Sequence, residues 1–367
     1  SGTLYFAGVR KVGAVFGREF KALGFSTQWL DGKPFNRAGH LVAQYGTRGP
    51  KILLIGHLDT VFAEDSPFQN MHMIGSDKAS GPGVTDMKGG DVIIIHALRA
   101  LRAAGQLDRR SIRVVLTGDE ENSGEPSTLS KQALLEAGDW ADIAIGFEDG
   151  DGDPKTAAIS RRGASGWQLE VKGRPAHSSQ IFQPDVGDGA IFEAARILDG
   201  FRVALSAQPN LSFNPGVIVG GTDITLDEQT SRGSAFGKSN VIAQSVRVDG
   251  DLRAISPEQL NLARQTMRRI VEAHLPGAGA SIKFDDGYPP MAPTEGNAKL
   301  LSLYSKASED YGFGPVIAIN PRNAGAADIS FVADKVDMAL DGIGLMGSGG
   351  NTVDETADLD PLDSQTI

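Results

Sequence analysis

The sequence contains no cysteine. Disulfide bonds, thiolate metal ligands and a cysteine nucleophile are therefore excluded. No apolar run approaches the roughly 20 residues that a helix needs to cross a bilayer, and no signal peptide is visible. We expect a soluble protein without a membrane partner. Neither Ser1-Gly-Thr nor Gln365-Thr-Ile is typical of a natural terminus, so we expect that terminal segments, including any targeting signal, are missing. The choice between cytoplasm and periplasm therefore stays open.

Long basic runs are also absent, and the formal net charge is −11. A nucleic-acid partner is therefore not expected. Part of the acidic excess is consistent with metal-binding carboxylates, which count as charges when no metal is included. The 367 residues are enough for more than one domain. The hydrophobic content of 40% and the charged content of 22% are ordinary for a globular protein.

The first part of the chain alternates between apolar strands and helices. Continuous apolar runs at 51–55, 112–117 and 143–147 predict buried parallel strands. The spacing of apolar residues predicts helices at 7–23 and 89–104. This alternation predicts an α/β fold with a mostly parallel, mixed sheet.

The pattern changes after Gly163, where the predicted order becomes strand–helix–strand–strand–helix–strand. That order is typical of a small ferredoxin-like α+β sandwich with its helices on one face. We expect residues 164–279 to form this inserted domain. Residues 1–163 and 280–367 together form the α/β domain, which is therefore discontinuous.

A histidine and two carboxylates follow the first apolar strand. His57 and Asp59 are two residues apart at its end, so their side chains lie on the same side. A carboxylate is the usual partner that orients a metal-binding imidazole. Asp86 lies on a glycine-rich loop that leads into a helix. These residues indicate a metal site at the carboxyl edge of the sheet.

Two further strands end in acidic residues, Glu120-Glu121 after one and Glu148 after the other. A single acid at a strand end is more often a helix cap or a solvated turn, and a Glu-Glu pair alone is more often an exposed acidic turn. Sites in open α/β sheets form at the carboxyl ends of strands, however. Carboxylates and imidazole suit zinc and related divalent ions. In the adjacent pair, one glutamate can bind metal while the other faces a bound water.

Two further residues have a functional interpretation and an ordinary one. His177 in the inserted domain could donate a hydrogen bond to an oxyanion, but a loop histidine is the commoner case. Arg322 could clamp a substrate carboxylate, but a surface arginine is the commoner case. The four other histidines are interpreted as structural or solvated: His40, His72, His96 and His274.

The ordered set of motifs resembles the co-catalytic zinc peptidases of the glutamate carboxypeptidase, aminoacylase and succinyl-diaminopimelate desuccinylase type. The motifs are His57-Leu-Asp59-Thr, Gly81-Pro-Gly-Val-Thr-Asp86-Met-Lys-Gly-Gly, Asp119-Glu120-Glu121 and Phe147-Glu148, and the likeness extends over nearly the whole chain. The resemblance implies a catalytic domain with two zinc ions. It also implies that the inserted domain is a lid that forms a homodimer.

The resemblance further implies a role for each matching residue. His57 and Glu148 would bind one zinc ion, Glu121 the other, and Asp86 both. Glu120 would be the general base, and Asp59 would orient His57. His177 would reach the active site of the partner subunit and stabilise the tetrahedral intermediate. Asn240 and Arg322 would hold the substrate, with Arg322 at its carboxylate.

One position departs from the family pattern. Asn351 occupies the place of a histidine that would complete the second zinc site. An amide oxygen is a weaker zinc ligand than an imidazole. Three explanations are open: an engineered inactive variant, a natural protein with one tight and one weak metal site, or a relative that binds without hydrolysis. Other divalent metals are possible at either site.

Two functions follow from these observations. The first is a zinc-dependent exopeptidase or amidohydrolase that cleaves an amide bond next to a carboxylate-bearing residue through a metal-bridging water. Its substrate would be a small peptide or an N-acyl amino acid. The alternative is a catalytically impaired or non-hydrolytic binding protein on the same fold, because of Asn351. Substrate side-chain preference depends on pocket shape and is not predicted.

Overall fold

The computed structural model describes residues 1–227 and 230–366. The chain forms two compact units. The first unit consists of Ser1–Arg161 with Met291–Ile367, and the second of Arg162–Pro290. Within the described ranges, no helix combines the length and the apolar content that a bilayer crossing requires.

The elements alternate along the chain in the predicted manner. The first unit begins with α1 Phe6–Ala22, β1 Ser26–Asp31, β2 Gly39–Tyr45, β3 Lys51–His57, β4 His72–Ile74, β5 Lys78–Ser80, α2 Lys88–Ala103, β6 Ser111–Thr117, α3 Ser127–Ser130, α4 Gln132–Trp140, β7 Ile143–Gly146 and β8 Thr156–Ala157. The second unit contains β9 Ala164–Gly173, α5 Gly189–Leu205, β10 Ser212–Gly221, β11 Asp223–Asp227, β12 Arg232–Phe236, β13 Ser245–Arg253, α6 Pro257–Glu272 and β14 Ala278–Tyr288. The first unit then resumes with α7 Glu295–Asp310, β15 Ile317–Ala318, β16 Met338–Leu340, β17 Gly347–Ser348, β18 Thr356–Asp358 and α8 Leu362–Thr366.

The main sheet of the first unit has the strand order β1-β2-β6-β3-β7-β16. Strand β3 is parallel to β6 and β7, and β16 is parallel to β7. Strand β2 is antiparallel to β6, and β1 to β2. The predicted mixed, mostly parallel sheet is therefore confirmed. The carboxyl ends of β3, β6 and β7 lie at one edge, which brings the residues after these strands together.

Side-chain alternation explains why β3 is apolar throughout. Leu54 packs in a core with Phe20 on one face of the sheet. Leu53 and Ile55 pack in a second core with Leu134 of α4 on the other face. Both faces of the strand are therefore buried, as expected for a central parallel strand.

A second, small sheet of the first unit joins segments that are distant in sequence. Its strand order is β17-β18-β5-β4. Strand β18 pairs antiparallel with β5, with Thr356 opposite Ser80. This pairing places the residues just before β18 beside the loop that follows β5 and leads into α2.

The second unit is a four-stranded antiparallel sheet with the order β10-β13-β9-β14. Helices α5 and α6 pack on it around a core that includes Trp167, Phe201 and Met267. Helix α6 begins at Pro257, and the Oγ of its N-cap Ser256 accepts a 3.2 Å hydrogen bond from the Gln259 N–H. The predicted ferredoxin-like arrangement is confirmed, with an additional hairpin formed by β11 and β12.

The boundaries of the second unit differ from the predicted 164–279. Strand β14 pairs with β9 from Ala278 opposite Gly173 to Tyr288 opposite Ala164. Because all of β14 belongs to this sheet, the unit extends to Pro290. A boundary between residues 279 and 280 would cut through the strand.

Candidate metal centre

His57 is fully buried at the end of β3, among three carboxylates. Its Nε2 lies 2.9 Å from Asp86 Oδ1 and 3.7 Å from Glu148 Oε1. Its Nδ1 lies 3.3 Å from Asp59 Oδ1. The two ring nitrogens therefore face different partners, and Asp59 is placed to fix which nitrogen points toward Asp86 and Glu148.

His57, Asp86 and Glu148 form a three-residue cluster with the donor types of a metal site. One ligand atom from each lies within 4.8 Å of the others. Zinc binds imidazole nitrogen and carboxylate oxygen at about 2.0–2.2 Å, so ligands around one ion lie roughly 3–4 Å apart. The spacing of these three side chains is compatible with a shared ion.

Glu355 holds the loop that carries Asp86. It is 1% exposed, and its carboxylate accepts four hydrogen bonds. Oε2 accepts from Gly83 N at 2.9 Å, and Oε1 accepts from Thr85 N, Thr85 Oγ1 and Asp86 N at 2.9, 3.1 and 3.2 Å. Sequence reasoning missed this residue. Its main-chain partner Gly83 is 272 residues away in the sequence, and no local pattern marks such a contact.

Asp59 connects His57 to the turn after β6. Asp59 Oδ1 accepts a hydrogen bond from Glu120 N, and Oδ2 accepts one from Glu121 N, both at 3.2 Å. Thr3 Oγ1 donates a further bond of 2.6 Å to Oδ2. Burial opposes the ionisation of Asp59, but the adjacent imidazole of His57 and the hydrogen bond from Thr3 hold the pKa of Asp59 below the usual value. An ionised Asp59 thus positions both glutamates and the imidazole.

A network of buried polar side chains also contacts the turn after β6. Asp119 Oδ2 accepts hydrogen bonds from Ser130 Oγ at 2.6 Å and from Gly124 N at 2.8 Å. Lys131 Nζ lies 3.0 Å from Asp328 Oδ1 and 3.6 Å from Asp119 Oδ1. The turn that carries Glu120 and Glu121 is therefore anchored to the end of α3, to Lys131 just after it and to the chain after α7.

His40 belongs to this network as well. Its Nδ1 accepts a 3.2 Å hydrogen bond from Gly118 N, and its Nε2 lies 2.8 Å from Ser130 O. The structural interpretation of His40 agrees with these contacts.

The carboxyl groups of the site have raised pKa values. Burial, assisted by neighbouring acids, raises the pKa of Glu120 and of Glu121 to about 8 and that of Asp149 to about 7. Burial also raises the pKa of Glu148 well above its usual value. Glu121 Oε1 is buried and has no hydrogen-bond partner among the described residues. This excess of buried acid over cation is what a divalent ion would balance, so the donor set fits a metal.

The pKa of His57 is also raised, which for an imidazole favours the charged form. Burial lowers its pKa, but the carboxylates of Glu148, Asp59 and Asp86 outweigh burial and raise the pKa well above the usual value. The acids around the imidazole therefore create a strongly negative potential, which attracts a cation.

A cavity of about 290 Å³ opens onto these side chains. Its lining includes Glu120, Glu121, Asp86 and Glu148, together with Asn351. Asn351 has a left-handed backbone conformation with φ of 64°, which asparagine tolerates better than most residues. The structure thus places Asn351 in the wall beside the other predicted ligands.

Arg322 does not share this placement. It is exposed in the short helical turn Pro321–Asn323, and the next residues, Asn323 and Ala324, form the cavity wall. The cation that does line the cavity is Arg161, to which the sequence analysis assigned no role.

His177 and Asn240 are neighbours within the second unit. Asn240 O accepts a 2.9 Å hydrogen bond from Ser178 N, and both His177 and Asn240 are exposed. His177 Nδ1 accepts a 3.3 Å bond from Ser179 N. Because this nitrogen acts as an acceptor, a neutral His177 carries its hydrogen on Nε2.

Residues 53–365 match the family described as Peptidase family M20/M25/M40. The chain belongs to this family. It is 26% identical over 355 residues to carboxypeptidase G2 of Pseudomonas sp. strain RS-16, covering 95% of this chain and 79% of the relative. It is also 26% identical over 363 residues to the succinyl-diaminopimelate desuccinylase of Acidiphilium cryptum, covering 95% and 88%. The resemblance seen in the motifs is confirmed, and the chain is an enzyme of the metallopeptidase and amidohydrolase class.

Solved structures share the fold at lower sequence identity. Aminopeptidase PepT of Bacillus cereus has a TM-score of 0.75 at 18% identity, covering 100% of this chain and 92% of that one. The YXEP protein of Bacillus subtilis, a dinuclear metal-binding peptidase of the M20 family, has a TM-score of 0.66 at 16% identity, covering 98% and 90%. The arrangement of elements described above is therefore that of M20 peptidases.

Proposed function

We propose that this enzyme is a glutamate carboxypeptidase-like exopeptidase or amidohydrolase. It hydrolyses an amide bond next to a carboxylate-bearing residue, in a small peptide or an N-acyl amino acid. The observation that supports this most is the cluster of His57, Asp86 and Glu148, because Asp86 and Glu148 also line a cavity together with Glu120 and Glu121. The names of the carboxypeptidase and desuccinylase relatives agree with such a substrate.

The proposed metal ligands divide between two positions. His57 and Glu148 would hold one ion, Glu121 and Asn351 would hold the other, and Asp86 would contribute to both positions. Zinc suits these donors best, although other divalent ions are compatible. Such ions polarise a carbonyl group and lower the pKa of a water molecule. The dinuclear peptidase of Bacillus subtilis, which shares this fold, supports two positions.

Glu120 is the proposed general base. It accepts a proton from the attacking water while the new C–O bond forms, and it returns the proton to the leaving nitrogen as the C–N bond breaks. The pKa of about 8 that burial gives Glu120 is suited to moving a proton in both directions near neutral pH. Asp59 holds the main chain of Glu120, which keeps the carboxylate in place.

The second unit is proposed to act as a lid and to form a homodimer. In this proposal His177 donates its Nε2–H to the developing oxyanion in the partner subunit's active site. Asn240, its neighbour, holds the substrate together with Arg322. The acceptor role of His177 Nδ1 supports the donor role of Nε2.

Asn351 weakens the second metal position in this proposal. Its amide oxygen is neutral, so it compensates less of the charge of a divalent ion than the other ligands do. The second ion is therefore bound more weakly than the first. The carboxypeptidase and desuccinylase relatives favour hydrolysis over the alternative of a binding protein without activity.

The substitution Glu120→Gln tests the proposal. It should lower kcat by about 10²- to 10⁴-fold, because proton transfer is lost, and it should leave the metal content unchanged. Glu136→Gln, an exposed position on α4, is the matched control and should retain full activity. Hydrolysis of a dipeptide or N-acyl amino acid panel and metal analysis are measured on each protein. Full activity of the Glu120 variant would exclude Glu120 as the base.

A further inference from the structure

Arg161 is a buried arginine whose position is fixed from several sides. Its side chain is 8% exposed, and Nε donates a 2.7 Å hydrogen bond to Asp341 Oδ2. Nη1 donates a 3.2 Å bond to Gly325 O. The main chain of Arg161 exchanges two 3.0 Å hydrogen bonds with Met291. The guanidinium is therefore held in one orientation before any ligand arrives.

The charge of Arg161 is balanced locally. Asp341 is fully buried, and its Oδ1 accepts hydrogen bonds from Gly342 N at 2.8 Å and from Glu148 N at 3.4 Å. All three of these hydrogen bonds to the Asp341 carboxylate come from donors, and the Arg161–Asp341 pair is neutral as a unit. The pair can stay buried without a second anion, so an additional anion is not needed for folding.

The guanidinium has donors to spare. It carries five N–H groups in a planar fork, and the bonds to Asp341 and Gly325 use two of them. The remaining N–H groups of the Arg161 guanidinium have no hydrogen-bond partner in residues 1–227 and 230–366. Arg161 also forms part of the wall of the cavity that Glu120 and Glu121 line. Unused donors on a buried cation at this wall are suited to an anion.

The charged side chains in the rest of the cavity wall are acidic, which limits where an anionic ligand group can bind. Five acidic side chains line the cavity: Asp86, Glu120, Glu121, Glu148 and Asp149. Arg161 is the one cationic side chain that the described residues contribute to it. Among the side chains that the described residues contribute to this wall, Arg161 is therefore the group that attracts an anion, at a position separate from the acidic side chains that would hold the metal.

We propose that Arg161 binds the free carboxylate of the amino acid released by hydrolysis. This inference rests on the proposed function and deepens it, because it assigns the carboxylate preference to a residue. The planar fork of a guanidinium matches a carboxylate in a bidentate way. Its fixed orientation lowers the entropy cost of binding. The free carboxylate is thus assigned to Arg161 instead of the exposed Arg322, whose proposed contact is then with another part of the substrate.

Binding measurements in the Glu120→Gln background test the assignment without turnover. The metal-loaded protein is titrated with a panel of N-acetyl-L-amino acids, each paired with its carboxamide. We expect at least one acid to bind about 10- to 100-fold more tightly than its amide, as for hydrogen bonds to a charged group. Arg161→Met should abolish this preference, while the affinity for the amide changes by less than about threefold.

Two further variants keep the test decisive. Arg161→Lys retains the charge but loses the fork, so it should reduce the preference, and it carries the test if Arg161→Met does not fold. Arg99→Met, which removes a half-exposed arginine on α2, is the matched control and should keep the preference. Three results would overturn the assignment: a preference that persists in both Arg161 variants, one that is lost only in Arg322→Met, or no preference for any acid.

Turnover separates this inference from the proposed function. The same panel is incubated with the protein that retains Glu120. An Arg161-dependent preference for acids without hydrolysis of any member would contradict the proposed hydrolase and support the assignment of Arg161. Hydrolysis of acids and amides at equal rates would support the hydrolase and overturn the role of Arg161.

Discussion

The substitution Glu355→Gln removes the charge that holds the Asp86 loop. The glutamine amide keeps one oxygen. We expect this oxygen to occupy the position of Oε1, where it can accept from Thr85 N, Thr85 Oγ1 and Asp86 N. The NH₂ group then faces Gly83 N–H, which loses its acceptor. Each of the three remaining bonds weakens by about 1 kcal/mol without the charge, and the unsatisfied N–H costs about 1–3 kcal/mol. We therefore expect a loss of about 4–6 kcal/mol in the free energy of unfolding.

Urea denaturation of the metal-free protein measures this loss directly. Competition with a chelator then measures the metal affinity, which should also fall because Asp86 loses its main-chain anchor. Asp354→Asn, at the exposed neighbouring position, is the matched control and should change stability by less than about 0.5 kcal/mol. A Glu355→Gln protein within about 0.5 kcal/mol of the wild type would refute this reasoning.

Three other predictions concern buried charges. Lys131→Met removes the buried cation that lies 3.0 Å from Asp328 Oδ1 and should lower the free energy of unfolding, measured in urea, by about 3–5 kcal/mol. In the second unit, burial opposes ionisation of Glu193, but bonds from Arg196 and a main-chain N–H lower its pKa below the ordinary 4.5. The ionised Glu193 therefore contributes fully to the free energy of unfolding above pH 4.5, and this contribution is lost as the pH falls through the lowered pKa. In urea denaturation, Glu193→Gln should be less stable than the wild type at pH 7, and the two proteins should become equally stable in acid. Burial raises the pKa of Glu121 to about 8, so it is protonated below that value, and chelator competition should show metal affinity falling from pH 8 to pH 6.

The predicted ligands of the first metal position could be found from the sequence. His57 and Asp59 share a side of one strand because side chains alternate, and parallel strands end at a common edge. Each of the strands before Glu120 and Glu148 is a continuous apolar run that can be recognised locally. The structure brings these residues together for the reasons that the pattern suggested.

Glu355 and Arg161 could not be found in this way. Glu355 acts on main-chain amides that reach it only through the pairing of β18 with β5. Arg161 is buried because Asp341, far along the chain, supplies its counter-charge. Neither partner is marked by spacing or composition, since each contact depends on tertiary packing.

The boundary of the second unit was missed for a related reason. The predicted order of the inserted domain ends in a strand after its second helix, but the predicted boundary at 279 left residues 280–284 of that strand outside the domain. Pairing with β9 assigns β14 to the second unit. Strand type is thus a local property, whereas strand partnership is not.

Metal analysis of the purified enzyme beside Asn351→His tests the central claim most directly. We expect about one tightly held ion per chain in the wild type and about two in Asn351→His, and Asn351→His should hydrolyse substrate faster than the wild type. The imidazole would complete the second position while the ligands around His57 remain as they are. Two tightly held ions in the wild type, or none in either protein, would contradict the proposed division of the site.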